Sequence, residues 1–178
     1  MQDNLERQLV DAAAAGDIES FGELCRRYYG PMVAIAYSVL SDHQLAEDAA
    51  QESFARALVS LRKLKNRTRF APWLAAICRN VAKDMVAAKA RRVNAADLSQ
   101  PVAAGSGNEN GMLIRRAIEQ LPGPARELIV LRYYNNLSYE EIGSVLEISK
   151  ASINGRLARA KRKMAKYLKH NGFPESRL

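Results

Sequence analysis

Cysteine and histidine are scarce in this sequence, which holds two of each among its 178 residues. Cys25 and Cys78 lie far apart, each within a helical pattern of apolar residues, so we expect buried thiols and neither a disulfide framework nor a Cys-x-x-Cys metal site. His43 and His170 are also widely separated and have no partner at metal-ligand spacing. Glycine-rich phosphate loops, nucleophile elbows and cofactor fingerprints are missing as well. We therefore predict no metal, no other cofactor and no enzymatic activity.

Long apolar runs are also missing. No stretch approaches the roughly 18 consecutive apolar residues that a membrane-spanning helix requires. The amino-terminal segment is polar and contains Asp3 and Glu6, which is unlike a secretory signal peptide. We expect a cytoplasmic protein that does not insert into a membrane.

Acidic residues are outnumbered by basic ones. The sequence has 27 Lys and Arg against 19 Asp and Glu, which leaves a formal net charge of +8. Such an excess favours a polyanionic partner, either nucleic acid or an anionic membrane surface. Net charge alone does not choose between these two partners, so the choice depends on the motifs.

Strands are not indicated, because no run of alternating apolar and polar residues is long enough to form one. Ala, Leu, Arg, Glu and Lys are abundant, so the fold class we predict is all-α. The helical periodicity is broken between residues 93 and 111, where Ala, Ser, Gly and Asn surround Pro101. This composition is typical of a flexible linker. We therefore predict two small helical domains, residues 1–92 and 112–178, joined by a flexible linker at residues 93–111.

Glycine, proline and capping residues predict the helix ends in both domains. Ser138 and Glu141 have the spacing of a capping box, in which each side chain binds the backbone N–H of the other residue. The further expected boundaries are a stop at Gly16, starts at Asp17 and Ser149, first-turn prolines at Pro31, Pro72 and Pro124, an amino-terminal cap at Ser41 for a helix reaching Leu61, and stops at Pro122 and Asn171.

Residues 138–164 have the pattern of a helix-turn-helix. The first, short helix turns Ile142, Val145 and Leu146 inward, and after a tight connection a longer helix turns Ile153 and Leu157 inward. Between residues 150 and 169 there are eight basic side chains and no acidic one. The second helix is therefore the one that a phosphate backbone would attract.

The amino-terminal half of this second helix is where recognition helices meet base edges. Arg159 could donate two hydrogen bonds to guanine, and Asn154 could form the matching pair with adenine. The same charges could instead form an ordinary solvated face, but the capping box, short turn, inward aliphatic residues and one-sided charge occur together and favour DNA binding. The helical step of about 100 degrees turns four residues away from the buried positions: Asn154, Gly155, Ala158 and Arg159.

The first domain contains a helix with clustered acidic residues, followed by a basic and aromatic segment. Glu47, Asp48 and Glu52 cluster in that helix, and the helix dipole is a structural reason for their position. Basic residues surround Phe70 and Trp73 further along the chain. Aromatic rings beside positive charges suit the binding of unstacked single strands, although a single tryptophan is more often a core residue.

Three motifs carry a resemblance that covers both domains. Residues 48–54 read DAAQESF, residues 70–84 place aromatic and polar side chains at a characteristic spacing, and residues 137–142 read LSYEEI ahead of Arg156 and Leu157. In these motifs and their order the chain resembles the extracytoplasmic-function (ECF) group of bacterial RNA polymerase sigma factors. The paired match is far more specific than any one motif.

The resemblance implies a sigma factor that binds core RNA polymerase, through the β′ clamp helices and the β subunit, and directs promoter-specific transcription initiation. It also implies contacts with duplex and melted promoter DNA, and an anti-sigma factor as a further partner. The implied polymerase-binding residues are Asp48, Gln51, Glu52 and Phe54. The implied minus-ten residues are Lys63, Lys65, Arg67, Arg69, Trp73, Arg79, Asn80 and Lys83. The implied minus-thirty-five residues are Lys150, Ser152, Asn154, Gly155, Arg156, Ala158, Arg159 and Arg162.

Some residues depart from the common pattern of the family. Asn136 and Glu147 stand where glycine is usual, and Asn154 and Gly155 replace a basic residue followed by serine. A carboxylate at Glu147 would weaken DNA binding unless it points away from the phosphates. These departures bear on which promoter sequence the protein reads. They bear less on whether the protein is a sigma factor.

Three other interpretations fit parts of the sequence. A stand-alone helix-turn-helix regulator explains the second domain but leaves residues 48–54 without a role. An enzyme acting on nucleic acid would need metal ligands, for which the acidic cluster Glu47, Asp48 and Glu52 is the candidate. A third alternative is a helical protein with a purely structural or partner-binding role. The opposite charges of the acidic helix near residues 42–52 and of the basic helix beyond residue 150 make this alternative less favoured.

Overall fold

The computed structural model describes residues 2–93 and 109–173, and within them the side chains of residues 5–90 and 110–173. Every regular element of these residues is helical, which confirms the predicted all-α fold class. The chain divides into two compact units, Met1–Pro101 and Val102–Leu178, which we call the first and second units. None of the described helices is long and apolar enough to cross a membrane.

The described residues of the first unit, 2–93, form four α-helices and a connecting loop. α2, α3 and α4 pack against one another in pairs, and α1 packs on α2 and on the loop between α3 and α4. This loop, residues 61–69, holds two short 3₁₀ turns, and we call it the basic loop. The helices are α1 (Gln2–Ala15), α2 (Ile18–Leu40), α3 (His43–Ser60) and α4 (Phe70–Val93).

The core of the first unit combines large apolar side chains with small ones. Leu24 of α2 and Leu74 of α4 are fully buried. Cys78 is buried as well: its Sγ donates to the carbonyl oxygen of Met32 at 3.3 Å, and burial raises the pKa of the thiol to about 11. Cys25 is half-buried, so the expectation of buried thiols is met fully at Cys78 and partly at Cys25. The buried face of α3 is rich in alanine, which allows close packing: Ala46, Ala49, Ala50 and Ala57.

Two predicted helix starts in the first unit are wrong. Pro31 lies in the interior of α2, because buried apolar residues continue on both sides of it and their packing outweighs the missing backbone donor. Ser41 ends α2 in the left-handed region, with a φ of 55°. Asp42 caps α3 instead, accepting a hydrogen bond from the Leu45 N–H at 3.2 Å.

In the second unit, residues 109–173 are described, and they form one long helix that packs against three shorter ones. A π-helical turn, Val130–Tyr134, follows directly on the helix Gly123–Ile129. Beyond the predicted stop at Asn171 the chain turns back, and Phe173 joins Ala117 and Leu168 in a small apolar cluster. The helices are α5 (Glu109–Glu119), α6 (Gly123–Ile129), α7 (Tyr139–Leu146) and α8 (Lys150–His170).

The ends of the predicted linker are helical. α4 continues through Val93 and α5 begins at Glu109, although both positions fall in the range predicted to be linker. Asn110 and Gly111 have low helix propensity, but α5 is held by the burial of Ala117 and extends back from there. Residues 94–108, the rest of the predicted linker, lie outside the described residues.

Candidate nucleic-acid interface

α7, a short turn and α8 form the predicted helix-turn-helix. The Ser138 hydroxyl accepts a hydrogen bond from the Glu141 N–H at 3.2 Å, and the Glu141 carboxylate accepts one from the Ser138 N–H at 2.7 Å. The predicted capping box is therefore present. Ile142 and Ile153 are fully buried and Leu157 is 3% exposed, as predicted for the inward faces of the two helices. This burial turns the opposite face of α8 outward.

The turn between α7 and α8 depends on a left-handed residue. Glu147 ends α7 with φ and ψ of 57° and 43°, and its N–H donates to the carbonyl oxygen of Gly143. A Cβ at position 143 would lie 3.0 Å from the carbonyl oxygen of Ile148, so Gly143 lets the turn approach α7 closely. Asn136 is also left-handed, with a φ of 53°. Positions 136 and 147, where glycine is usual in the resembling family, thus have the backbone conformation that favours glycine.

The face of α8 turned away from the core holds the predicted reading residues. Gly155 and Ser152 are half-buried. A Cβ at position 155 would lie 3.5 Å from Nη1 of Arg159, so the Arg159 guanidinium lies beside the glycine. The other predicted minus-thirty-five residues are all exposed: Lys150, Asn154, Arg156, Ala158, Arg159 and Arg162.

The charge of Lys150 is paired within the helix-turn-helix. Its Nζ donates to Oε1 of Glu140 at 2.7 Å, which links the start of α8 to the start of α7. This hydrogen bond lowers the pKa of Glu140 and raises the pKa of Lys150. A DNA phosphate would therefore compete with Glu140 for this lysine.

The basic residues of α8 are distributed over two flanks. On one flank, Lys161 Nζ lies 5.0 Å from the centroid of the Tyr133 ring. On the other flank, three basic side chains border a groove of about 480 Å³ at the start of α6. Its lining residues are Leu121, Pro122, Pro124, Ala125, Arg156, Arg159, Ala160 and Lys163.

Sequence reasoning missed the residues that connect α6 to the helix-turn-helix. The Arg132 guanidinium lies 5.4 Å from the centroid of the Tyr139 ring and donates to the carbonyl oxygen of Leu137 at 3.0 Å. It also lies 6.0 Å from the centroid of the Tyr133 ring. The π-helical turn determines which side each of these residues faces, and the sequence spacing did not indicate that turn.

An exposed acidic surface lies on α3 in the first unit. Asp48, Gln51 and Glu52 are exposed and line a groove of about 680 Å³ between α3 and α4, which we call the acidic groove. Arg56 pairs with both walls: its Nε lies 2.7 Å from Oε1 of Glu52, and its Nη1 lies 3.6 Å from Oδ2 of Asp84. Sequence reasoning did not single out Arg56, which orders the carboxylates of this groove.

Two residues of α3 that the sequence analysis singled out, Phe54 and Glu47, lie outside the acidic groove. Phe54 is 8% exposed, so its ring packs in the core, whereas the resemblance implied a place for it on a polymerase-facing surface. Glu47 lies 3.7 Å from Nδ1 of His43. Within the described ranges, no three His, Cys, Asp or Glu side chains are grouped to hold a metal ion. The acidic cluster thus gives no support to the metal-dependent alternative.

One of the four predicted DNA-binding residues of the basic loop is turned inward. Arg67 Nη1 donates to the carbonyl oxygens of Leu61, at 2.7 Å, and of Leu64. Its Nε lies 3.6 Å from the Asp11 carboxylate, and its side chain is 23% exposed. These contacts do not support the prediction that Arg67 binds DNA, because its donors are directed to the protein itself. The other three residues are exposed: Lys63, Lys65 and Arg69.

An aromatic cluster anchors the start of α4. Phe70 is fully buried and meets Tyr28 edge-on, with ring centroids 5.4 Å apart. Trp73 is half-buried, and its ring centroid lies 5.9 Å from that of Phe70. Part of the indole is therefore core and part is accessible. Further along α4, Arg79 is half-buried and Asn80 and Lys83 are exposed.

These features define a class of protein. One unit presents a basic helix of a helix-turn-helix, as DNA-binding proteins do. The other unit combines an acidic groove with exposed cations and a partly accessible tryptophan, a combination suited to a protein partner and to single-stranded DNA. The chain thus has the organisation of a two-module transcription protein.

Known proteins share both modules. The family model described as Sigma-70 region 2 matches residues 24–92, and the model described as Sigma-70, region 4 matches residues 111–164. The ECF RNA polymerase sigma-E factor of Salmonella typhimurium is 30% identical in an alignment of 173 positions that covers 88% of this chain and 90% of that protein. The RNA polymerase sigma-H factor of Pseudomonas aeruginosa is 29% identical in an alignment of 180 positions that covers 92% of this chain and 93% of that protein.

A solved structure has the same fold. The sigma factor RpoE of Bartonella quintana, in complex with the anti-sigma factor NepR, matches 85% of this chain and 98% of its own with a TM-score of 0.70 and 23% identity. The protein belongs to the ECF group of RNA polymerase sigma factors. It directs promoter-specific transcription initiation.

Proposed function

We propose that the first unit binds core polymerase and the minus-ten element, and that the second unit reads the minus-thirty-five element. The observation that carries this proposal is the opposite charge of two surfaces, one on each unit. The first unit exposes the carboxylates of the acidic groove, whereas the second exposes the basic surface of α8. Surfaces of opposite charge favour different partners, one a protein and the other a polyanion.

The acidic groove is the proposed contact with core polymerase, through the β′ clamp helices and with the β subunit as a further contact. Asp48, Gln51 and Glu52 offer exposed polar groups on one rigid helix. Arg56 holds the Glu52 carboxylate at 2.7 Å, so part of the surface is oriented before binding. Phe54 contributes from the core by fixing α3.

The basic loop and the exposed part of α4 are the proposed contacts with the melted minus-ten strand. Extracting a base from the stack costs a few kcal/mol, so a site for the flipped base must recover that energy through stacking and charge. Trp73 is partly accessible for stacking, and Asn80 is exposed on the same helix. The cations of this surface are Lys63, Lys65, Arg69, Arg79 and Lys83.

The exposed face of α8 is the proposed reader of the minus-thirty-five duplex. Asn154 and Arg159 carry the donors and acceptors that distinguish bases in the major groove. The small residues Gly155 and Ala158 between them allow a close approach of the helix to the bases. The remaining residues of this set would hold the phosphate backbone: Lys150, Ser152, Arg156 and Arg162.

An anti-sigma factor is part of the proposal. The support comes from the fold shared with the RpoE protein, which was solved together with its anti-sigma factor. Polymerase would supply all the catalysis, so the protein would have no enzymatic activity and no cofactor of its own. Its place of action would be the cytoplasm, where bacterial transcription occurs.

Transcription in vitro tests the proposal. A pooled library of genomic fragments is transcribed by bacterial core polymerase with and without the protein, and the transcript starts are sequenced. We expect new starts that share two spaced upstream motifs. An Asp48→Asn, Glu52→Gln variant should lose these starts and core binding together, while an Arg159→Ala variant should keep core binding and change the upstream motif.

A contrary result is equally clear. If active core polymerase and folded protein give no new starts, the proposed division of roles is wrong. Selection of duplex DNA by the protein without polymerase would then indicate a stand-alone regulator.

A further inference from the structure

We infer that Arg67 is a positioning residue which, together with Asp11, fixes the shape of the basic loop and thereby the base selectivity at the minus-ten element. The inference deepens the proposed function and rests on it, because it takes the basic loop as the contact with the melted strand. It concerns two residues that contact each other and, in the case of Arg67, backbone carbonyls of the loop.

The contacts of Arg67 close the loop on itself. Its Nη1 donates to the carbonyl oxygens of Leu61 and Leu64, and the Leu64 N–H donates to the same Leu61 carbonyl at 3.1 Å. The carbonyl groups of residues 61 and 64 are thereby drawn to one guanidinium. Both bonds are donated by Nη1, and the planar guanidinium holds Nε at a fixed position relative to that atom.

The two ends of the loop are fixed independently of Arg67. Leu61 is 1% exposed and Phe70 is fully buried, so the loop begins and ends in the core. Near the second end, Asn66 Oδ1 accepts hydrogen bonds from the N–H of Thr68, at 3.1 Å, and from its hydroxyl, at 2.7 Å. Between these points lie Lys63 and Lys65, whose backbone course follows from the Arg67 contacts.

Asp11 extends the arrangement to α1. Its carboxylate lies 3.6 Å from Nε of Arg67, and it also lies 3.8 Å from Nε of Arg7. A guanidinium that is mostly shielded from water requires a compensating charge or a set of hydrogen bonds. Asp11 supplies this charge from a different helix, so the orientation of Arg67 depends on α1 as well as on the loop.

Positioning and direct DNA binding predict different effects of Arg67→Lys. Lysine keeps the positive charge, but its single nitrogen cannot take the place of Nη1 at the two carbonyls and of Nε beside the Asp11 carboxylate at the same time. If Arg67 contacts a phosphate, the lysine variant keeps most of the affinity. If Arg67 positions the loop, the variant loses base selectivity while the number of charges facing DNA, and therefore the salt dependence, stays the same.

The test measures open-complex formation by full-length protein with core polymerase on a promoter that it recognises and on versions with one minus-ten base changed. Selectivity is the ratio of the rates on the parent and on the changed promoter. We expect Arg67→Lys to lower this ratio about tenfold or more, the effect of losing at least one charge-assisted hydrogen bond. Asp11→Asn should lower it about two- to fivefold, as for a partly exposed ion pair.

Two matched variants control for charge. Arg7→Gln removes the other ion pair of Asp11 without touching the loop and should leave selectivity unchanged. Lys65→Met removes an exposed loop charge, so it should weaken binding to all sequences alike and make the salt dependence shallower. Partial unfolding would lower initiation from every promoter in the same proportion and leave the ratio unchanged.

Wild-type selectivity in Arg67→Lys, or a gain in DNA affinity in Asp11→Asn, overturns the inference. If Arg67→Lys does not fold, Asp11→Asn decides alone, because its carboxylate is 52% exposed and its loss creates no cavity. A wild-type protein that initiates nowhere contradicts the proposed function and this inference together. Wild-type initiation with unchanged selectivity in the variants contradicts only the inference.

Discussion

The two basic surfaces of this sigma factor are supported in different ways. On α8, the exposed residues project from a continuous helix whose inner face is fixed by Ile153 and Leu157. In the basic loop, a charged residue, Arg67, turns inward and binds backbone carbonyls. A helix satisfies its own backbone through its internal hydrogen bonds, so none of its outward side chains is needed for that purpose. A loop must use one of its side chains to satisfy its backbone, and the number of cations it offers falls accordingly.

The largest effect is expected from removing a core side chain that holds α8 in place. Ile142→Ala removes a fully buried side chain beneath α8 and should destabilise the second unit by about 2–5 kcal/mol. Amide hydrogen exchange in α7 and α8 measures this loss. The fluorescence of Trp73, the one tryptophan of the chain, should report an unaltered first unit.

The matched control is Ile114→Ala in the same unit. Ile114 is 38% exposed, so its truncation should change stability by about 0.5 kcal/mol or less. Equal destabilisation by the two variants would contradict the assignment of Ile142 to the core.

Removing a proposed reading residue tests the surface itself. Arg159→Ala should cost about 1–3 kcal/mol of discrimination at one minus-thirty-five position, the amount of a bidentate contact with guanine. Promoter variants at each position, assayed with core polymerase, measure the change. Lys163→Ala on the same flank should weaken all promoters alike, and unchanged discrimination in Arg159→Ala would remove Arg159 from the reading residues.

The turn before α8 offers a gain in stability. Glu147 is left-handed, so Glu147→Gly should stabilise the second unit by about 1 kcal/mol. Denaturant unfolding followed by hydrogen exchange in α7 measures the gain. Asn136→Gly should gain less, because asparagine tolerates this conformation better than glutamate does. A loss of stability in Glu147→Gly would mean that the glutamate side chain contributes contacts of its own.

The smallest effect is expected from the ion pair that links the two helices. Glu140→Gln should release Lys150 for a phosphate, so that the slope of log affinity against log salt becomes steeper by about one unit. Titration of promoter DNA with the polymerase complex at several salt concentrations measures the slope. Glu19→Gln makes the same charge change in the first unit and should leave the slope unaltered; a similar change in both variants would indicate a general charge effect.

Local signals in the sequence predicted the helix-turn-helix well. Ser138 and Glu141 are three residues apart and interact within one helical turn, so their spacing alone indicates the capping box. The end of α1 at Gly16, which has a φ of 111°, and the start of α2 at its Asp17 cap were also predicted from neighbouring residues alone. Pro31 shows the limit of such signals, since packing of the surrounding helix overrides the usual place of proline.

Contacts between distant segments were not predictable in this way. The inward turn of Arg67 depends on Asp11 of α1, and nothing near residue 67 in the sequence distinguishes it from Lys65 or Arg69. Phe54 lies in a motif assigned to a surface, yet its ring is buried. Burial is decided by helix packing in three dimensions, so a motif can indicate what a segment does without indicating which of its side chains are accessible.

The buried thiol of Cys78 has a consequence for oxidative conditions. Since the thiolate is the form that oxidants attack, a pKa of about 11 leaves roughly one Cys78 in ten thousand reactive at neutral pH. Its sulfur is also enclosed by the helices that form the first unit. Peroxide or disulfide stress would therefore leave this cysteine intact, and the half-buried Cys25 is the more accessible of the two thiols.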